Sequence, residues 1–455
     1  MIRFRSLMGL LFLLISLSIN AQTVQRAVCE GNLTQLDSLL TSTDIHIKDK
    51  IGRSLAHYAI ACRQEKVMDF LIERGMDVNM TDDKGYTPLF VAVQFGNDKM
   101  IDKLIGANVD INKGVSSLHR AVLRDNLKLL KRLVNEKTDV DVLNDRGNTP
   151  LTIAMRQGSD EIAAFLISRG ADKSKIPTYE LKGDFLGQTR PGLKPEIFAP
   201  NVVSTEDFTH SATFTPDGKE FYYTVESRKY NRGTIMVSRR EGDQWSIPEP
   251  ADIEGEYREI DPFVTADGST LLYSSNRPAK EGDSILRNID LWMVKRKGKK
   301  WGTPIHLGAE VNTAHAEWFP TVSKKGTLFF STGPDRSSNI YYSEFKNGKY
   351  QKAIPLGDSV NSEHRDYDPL IAPDESYVIF SSRRPGGMGG SDLYISFKNE
   401  DGSWTKAKNM GSEINTTGGE FAPGLSHDGK YFFFTRRGDI YWVDAKIIQN
   451  LRIKI

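Results

Sequence analysis

The chain has 455 residues, enough for two or three domains with cores of their own. Lys and Arg number 60 against 59 Asp and Glu, and the net charge of +1 excludes any overall pull toward nucleic acid or an anionic membrane. Two cysteines in such a length exclude a disulfide scaffold, and Cys29 and Cys62 are expected to be free and buried.

The chain opens on MIRFRSLMGLLFLLISLSINAQ. Arg3 and Arg5 precede the apolar run Leu7–Ile19, which falls short of the about 20 residues that a membrane span takes. Ala21 supplies the small residue before a cut. Residues 1–21 therefore read as a signal peptide, and the mature protein as exported, with no membrane span after cleavage.

From 22 to 173 a period near 33 appears. Gly52, Gly85, Gly114 and Gly147 lie 33, 29 and 33 residues apart, and open the frames GRSLAHYA, GYTPLFVA, GVSSLHRA and GNTPLTIA. A second apolar helix follows each, as in EKVMDFLIERG and DEIAAFLISRG. Thr87 and Thr149 are placed to cap helices whose first turns tolerate Pro88 and Pro150. Ala59, Ala92, Ala121 and Ala154 leave room for a neighbouring helix, and VQRAVCEGNLTQLDSLL (24–40) fits a degenerate first copy, making five units. The frames resemble the ankyrin repeat, whose signature is T-P-L-H-x-A. The resemblance implies that His57 and His119 hydrogen-bond between neighbouring repeats instead of serving chemistry. It also places Cys29 and Cys62 at near-equivalent positions of successive units, which stacking is expected to hold apart. Asp82, Asp83, Lys84 and Tyr86, with Asp145 and Arg146, form the loop tips at which such a stack would meet a partner.

Residues 174–196 read as a linker and the start of a closing strand. From 197 to 455 the texture changes. TFTPDGKEFYYT, FVTADGSTLLYSS, TVSKKGTLFFST, LIAPDESYVIFSS and GLSHDGKYFFFT are five hairpin signatures centred 50, 58, 49 and 54 residues apart. A third strand follows each (TIMVS, DLWMV, NIYYS, DLYIS, DIYWV), and a fourth is expected to start at Trp245, Trp301, Tyr350 and Trp404. Four strands recurring at this spacing predict a five-bladed β-propeller after the α-helical repeats. The missing fourth strand of the last blade is expected upstream, at KPEIFAPNVVST, where it would close the ring. The PDG turns and SSxRPGG…DLY segments resemble the WD-repeat-like propellers of the TolB type. That resemblance implies a protein-binding face and a bacterial envelope setting.

SSRRPGGMGGSDLY (381–394) is rich in glycine, as phosphate loops are, but a strand and not a helix follows it. It reads as a structural connection. Arginines recur after each second strand: Arg228, Arg277, Arg336, Arg383 with Arg384, and Arg436 with Arg437. Acids recur before the first strand of the later blades: Glu259 and Asp261, Glu317, Asp366 and Asp368, and Glu420. In one reading each arginine bridges carboxylates of its own and the next blade. In the other, some groups stay unpaired at the channel mouth and hold a polar ligand, a cation or a basic peptide. HSATF (210–214) breaks the pattern where the first blade should carry an acid.

No G-x-S-x-G, HExxH or clustered cysteine–histidine pattern is present, so no catalytic residue, metal or cofactor is expected. The function expected is non-catalytic binding of a protein or peptide in the cell envelope, periplasmic or at the outer membrane. A carbohydrate-active propeller using the channel-mouth carboxylates is the alternative.

Overall fold

The computed structural model describes residues 22–41, 43–227, 232–253, 257–279, 288–334 and 337–453. The signal-peptide segment, Arg228 and Arg336 lie outside them. The chain divides into two units between Thr178 and Tyr179.

The first unit is five helix pairs. Residues 22–30 pair with Leu33–Leu40, Leu55–Ala61 with Glu65–Glu73, Pro88–Phe95 with Asp98–Gly106, Ser117–Leu123 with Leu127–Leu133, and Pro150–Gln157 with Asp160–Ser168. The Thr87 and Thr149 side chains cap helices with proline in the first turn, and Asn32, Asn97 and Asn126 cap second helices. Ala59, Ala92, Ala121 and Ala154 are fully buried, so the helices close on one another without a gap. His57 Nε2 lies 2.9 Å from the Tyr86 carbonyl and His119 Nε2 2.8 Å from that of Asn148. Each imidazole therefore spans to the next repeat, the structural role expected of it.

The cysteines do not behave as expected. Cys29 and Cys62 are joined in a disulfide with their Cα atoms 5.1 Å apart. Stacking keeps equivalent helix midpoints apart, but these residues sit at helix ends, where the chains converge. Cys62 caps its helix, Gln64 Nε2 donates to the Cys29 carbonyl at 2.7 Å, and Gly31 leaves the space that Gln64 fills.

The second unit is a five-bladed propeller of antiparallel sheets. The inner strands are Phe208–Phe214, Glu259–Val264, Glu317–Val322, Asp366–Ile371 and Glu420–Leu425. Each is hydrogen-bonded to a second strand, and that to a third. The outer strands are shorter and later than expected: Glu249–Pro250, Ile305–His306, Ile354–Pro355 and Lys408–Asn409. Trp245 and Trp301 instead pair back across the preceding turn, with Arg240 and Arg296. In the last blade Glu196–Ile197 pairs with Trp442 and Tyr441, so the amino-terminal strand closes the ring as the strand count required. Phe198, fully buried, seals it against Phe221, Phe433 and Trp442. A final helix, Lys446–Ile453, which the repeats did not announce, packs Ile447 and Ile448 on the last two blades.

Candidate functional site

The repeated acids fall into two sets that the sequence did not separate. Register places Thr209, Glu259, Glu317, Asp366 and Glu420 at one position of the inner strands, two residues before Ser211, Asp261, Phe319, Asp368 and Ala422. The second set lies in a β-bulge in every blade, and all five residues have left-handed backbones, with φ of 60°, 56°, 55°, 52° and 52°. A non-glycine residue adopts this conformation rarely and at a cost. Its fivefold recurrence marks a built feature. Pro262, Pro320, Pro369 and Pro423 follow four of these residues, and a bulge tolerates proline because ladder pairing is interrupted there. Behind the bulges stand five buried hydroxyl residues, Thr224, Ser274, Ser331, Ser381 and Thr435. Thr224 and Ser274 accept the bulge N–H of the next blade, from Asp261 at 3.0 Å and Phe319 at 3.3 Å.

The first set belongs to the joints between blades. The stretches VNTAHAE (311–317), VNSEHRD (360–366) and INTTGGE (414–420) repeat one cassette. Asn312, Asn361 and Asn415 each grip both backbone groups of one residue on a third strand, Leu291, Ile340 and Leu393. The hydroxyls of Thr313, Ser362 and Thr416 then donate to Glu317, Asp366 and Glu420 at 2.7, 2.7 and 2.6 Å. Arg384 pairs with Asp366 at 2.7 Å and Arg436 with Glu420 at 2.8 Å. Both arginines also donate to carbonyls in these cassettes, Val360 and Ile414, and stack over Tyr394 and Tyr441. Arg277 pairs with Glu259 at 3.0 Å. Each of these three pairs stays within one blade, and Arg384 and Arg436 reach the connection before their own blade through a carbonyl instead of a second carboxylate. The V/I-N-T/S pattern at 311–313, 360–362 and 414–416 is the signal in the sequence that marks these joints.

Glu317 differs. It accepts from the Thr313 and Thr332 hydroxyls, both at 2.7 Å on Oε1, and among the described residues nothing hydrogen-bonds its buried Oε2. Burial pushes this carboxyl up to about 7.

Three of the bulge residues, Ser211, Asp261 and Phe319, line a separate place, the central channel. A cavity of about 340 Å³ is walled by inner strands of all five blades, with Ser211, Asp261 and Phe319 among its lining and Pro216, Lys324, Pro373 and Asp428 from the tight turns at its mouth. The Ser211 hydroxyl donates to Asp261 Oδ1 at 2.7 Å and lies 2.7 Å from His210 Nδ1. His210 is buried between Asp261 at 3.4 Å and Glu226 at 3.8 Å, distances of ion pairs and not of hydrogen bonds. Burial opposes its charge, but the two carboxylates prevail and hold it protonated, up to about 9. Glu226 also pairs with Arg258 at 2.6 Å. Asp368 is pushed up to about 7 by burial and by the charge of Asp261. The broken symmetry at HSATF is thus filled by a histidine–serine pair that reaches the next blade's bulge.

The glycine loop keeps its own anion. Asp392 accepts from the Met388 and Gly389 amides at 2.6 and 2.9 Å, which removes the donors a phosphate would need. At the ankyrin loop tips, Asp83, Lys84 and Asp145 are exposed. Asp82 instead accepts from the Lys84 and Tyr86 amides, and Tyr86 stacks on Phe90. Arg146 is half-buried. Among the described residues no group of three or more histidine, cysteine or acidic side chains is placed to hold a metal ion. No helix among them is long and apolar enough to cross a membrane.

Residues 24–114 and 100–176 match the family model described as ankyrin repeats, in three copies. The ankyrin repeat protein nuc-2 of Neurospora crassa is 29% identical over 158 residues, 33% of this chain and 15% of that protein. The ankyrin repeat protein FPV223 of fowlpox virus is 30% identical over 129 residues, 28% of this chain and 92% of that protein. The B-cell lymphoma 3 protein homolog of Mus musculus is 30% identical over 167 residues, 34% of this chain and 37% of that protein. Against nuc-2 and the mouse protein, then, the chain spans well under two thirds of the relative's length.

Proposed function

The chain belongs to the ankyrin-repeat proteins through its N-terminal unit, and on that premise we propose that it is a non-catalytic adaptor that binds a protein or peptide partner. The observation that carries this reading is a set of large apolar side chains left exposed on the ankyrin stack. Ile51 is 52%, Phe95 60% and Leu143 59% exposed, and they lie on the same unit as the exposed tips Asp83, Lys84 and Asp145. Such side chains gain when a partner covers them. The propeller, read as TolB-type from its turn repeats, would add a second rigid platform.

We place the protein outside the cytoplasm, in a bacterial envelope. The Cys29–Cys62 bond supports this, because disulfides persist in oxidising compartments. So does the Arg-flanked apolar start of the sequence. The related proteins named above are eukaryotic and viral, so the envelope setting rests on these two features of the chain itself. A carbohydrate-active propeller is the weaker reading, since Glu259, Asp366 and Glu420 are committed to arginines.

The test is affinity capture from envelope extract with the mature protein, with Phe95→Ser/Leu143→Ser, and with Asp368→Asn. A discrete partner lost only with the first variant supports the ankyrin surface. A partner lost only with the second moves the site to the propeller. No partner with any of the three proteins sinks the adaptor reading.

A further inference from the structure

Of the five bulge residues, only Asp261 and Asp368 carry carboxyl groups; Asp261 lines the cavity, and Asp368 stands at the same position two blades on, close enough for the two charges to act on each other. Asp261 is met by the Ser211 hydroxyl and His210. Asp368 is 9% exposed, yet its carboxylate receives one long hydrogen bond, from the Ala422 N–H to Oδ2 at 3.3 Å. Its Oδ1 has no hydrogen-bond partner among the described residues. Buried carboxylates ordinarily collect two or three donors. Asp366 and Glu420, one set over, show what such satisfaction looks like, each with a hydroxyl, a backbone amide and a guanidinium.

The charged groups acting on Asp368 are Asp261, His210 and Arg365, and His210 in turn faces Glu226 beside Arg258. His210 and Arg365 favour the carboxylate, and still burial and Asp261 hold it protonated up to about 7. Among the described residues no cation is in contact with it. The cavity that leads to this level is walled by Phe263, Val264, Val322, Leu370 and Ile371, with Lys324 and Asp428 of opposite charge at its mouth.

We propose that the channel binds a ligand with one alkylammonium group, its apolar stem in the cavity and its nitrogen donating to Asp368 and Asp261 at the ring of bulges. This goes beyond the adaptor reading, because it concerns a small chemical group and a site separate from the ankyrin surface. A free amine and a lysine side chain of a partner share this chemistry.

Calorimetry with the full mature protein tests it, using n-hexylammonium, the uncharged hexan-1-ol and a lysine tripeptide with blocked termini. The ammonium probe binds at least about tenfold more tightly than the alcohol. Asp368→Asn weakens it by about tenfold or more and leaves the alcohol unchanged. The affinity of the ammonium for the wild type rises from about pH 6 to about pH 8 as Asp368 ionises. Preference for the peptide over n-hexylammonium assigns the group to a partner's lysine, and the reverse to a free amine; both uphold the site. Equal binding of ammonium and alcohol, no binding of either cation, or no effect of Asp368→Asn overturns it. Should that variant fail to fold, the carboxyl carbon of Asp368 is titrated by NMR in the wild type. n-Hexylammonium then lowers the midpoint, and an unmoved midpoint overturns the proposal.

Discussion

The Ser211 hydroxyl donates to the Asp261 carboxylate at 2.7 Å, across the joint between the first and second blades. The first blade is the one with no acid at the first inner-strand position, where Thr209 stands and donates to the Gly438 carbonyl. Thr209 thus serves the joint to the last blade, while the joint to the second blade holds both the Ser211–Asp261 contact and the Glu226–Arg258 pair. The same serine touches His210, so one short network supports the joint and shapes the channel floor.

His210 is a structural cation with a defined pH window. Its two carboxylate neighbours raise it from 6.5 to about 9 against the effect of burial. The stabilisation is complete below about pH 6.5 and is lost as pH rises through about 9. His210→Asn is expected to cost on the order of 2 kcal/mol at pH 7, since it leaves buried carboxylates uncompensated. Urea unfolding at pH 7 and pH 10 checks this, with a much smaller difference between the two proteins at the higher pH.

Glu317 runs the other way. Burial raises it from 4.5 to about 7, so its neutral form favours the folded state. Its contribution is present below about pH 4.5 and is lost as pH rises through about 7. Glu317→Gln keeps the acceptor for Thr313 and Thr332 without the charge. The variant should be more stable than the wild type at pH 8, on the order of 2 kcal/mol, and about equal near pH 4. A destabilised variant at pH 8 would show that the ionised carboxylate is itself required.

The disulfide ties the capping repeat to the second one across 33 residues. A terminal repeat has one neighbour instead of two, so it is the first place a stack frays. Cys29→Ser/Cys62→Ser, or reduction of the wild type, should cost about 2–4 kcal/mol in that region. Amide exchange in residues 22–40 should speed up while the propeller is unaffected. Unchanged exchange after reduction would remove the bond from the stability of the cap.

Ring closure depends on Phe198, fully buried beside the two-residue strand Glu196–Ile197. So short a strand holds few hydrogen bonds, and the aromatic cluster carries the seal. Phe198→Ala is expected to destabilise the propeller by about 3–5 kcal/mol. Thermal unfolding monitored by tryptophan fluorescence reads the change, since Trp442 packs on the same ring with centroids 5.1 Å apart.

Glu375 departs from the repeat in a way whose consequence only the fold shows. It stands where the other tight turns carry glycine and adopts a φ of 63°. In PDES it reads as an ordinary polar turn. In the fold, burial would raise its carboxyl, but the Thr327 and Ser323 hydroxyls and the Lys398 and Lys325 ammonium groups outweigh it and hold it at about 2. No periodicity marks those four partners, because they come from two blades.

What the sequence determined by itself follows from local chemistry. Glycine-opened frames with T-P-L caps set the helix pairs, D-G turns between alternating aromatics set the hairpins, and the count of strands required the amino terminus to close the last blade. The role of His57 and His119 came from the resemblance to the ankyrin repeat, and each imidazole reaches the next repeat as that resemblance implies. The tertiary structure alone decided three matters. It brought Cys29 and Cys62 together, because convergence of helix ends is not a property of a spacing. It split the acids into joint and bulge sets, because Asp261 and Asp368 fall where the strand register shifts, whereas Glu259 and Asp366 stand in the regular ladder. And it made His210 a buried cation, because its charge depends on carboxylates from two other strands, which only the closed ring places around it.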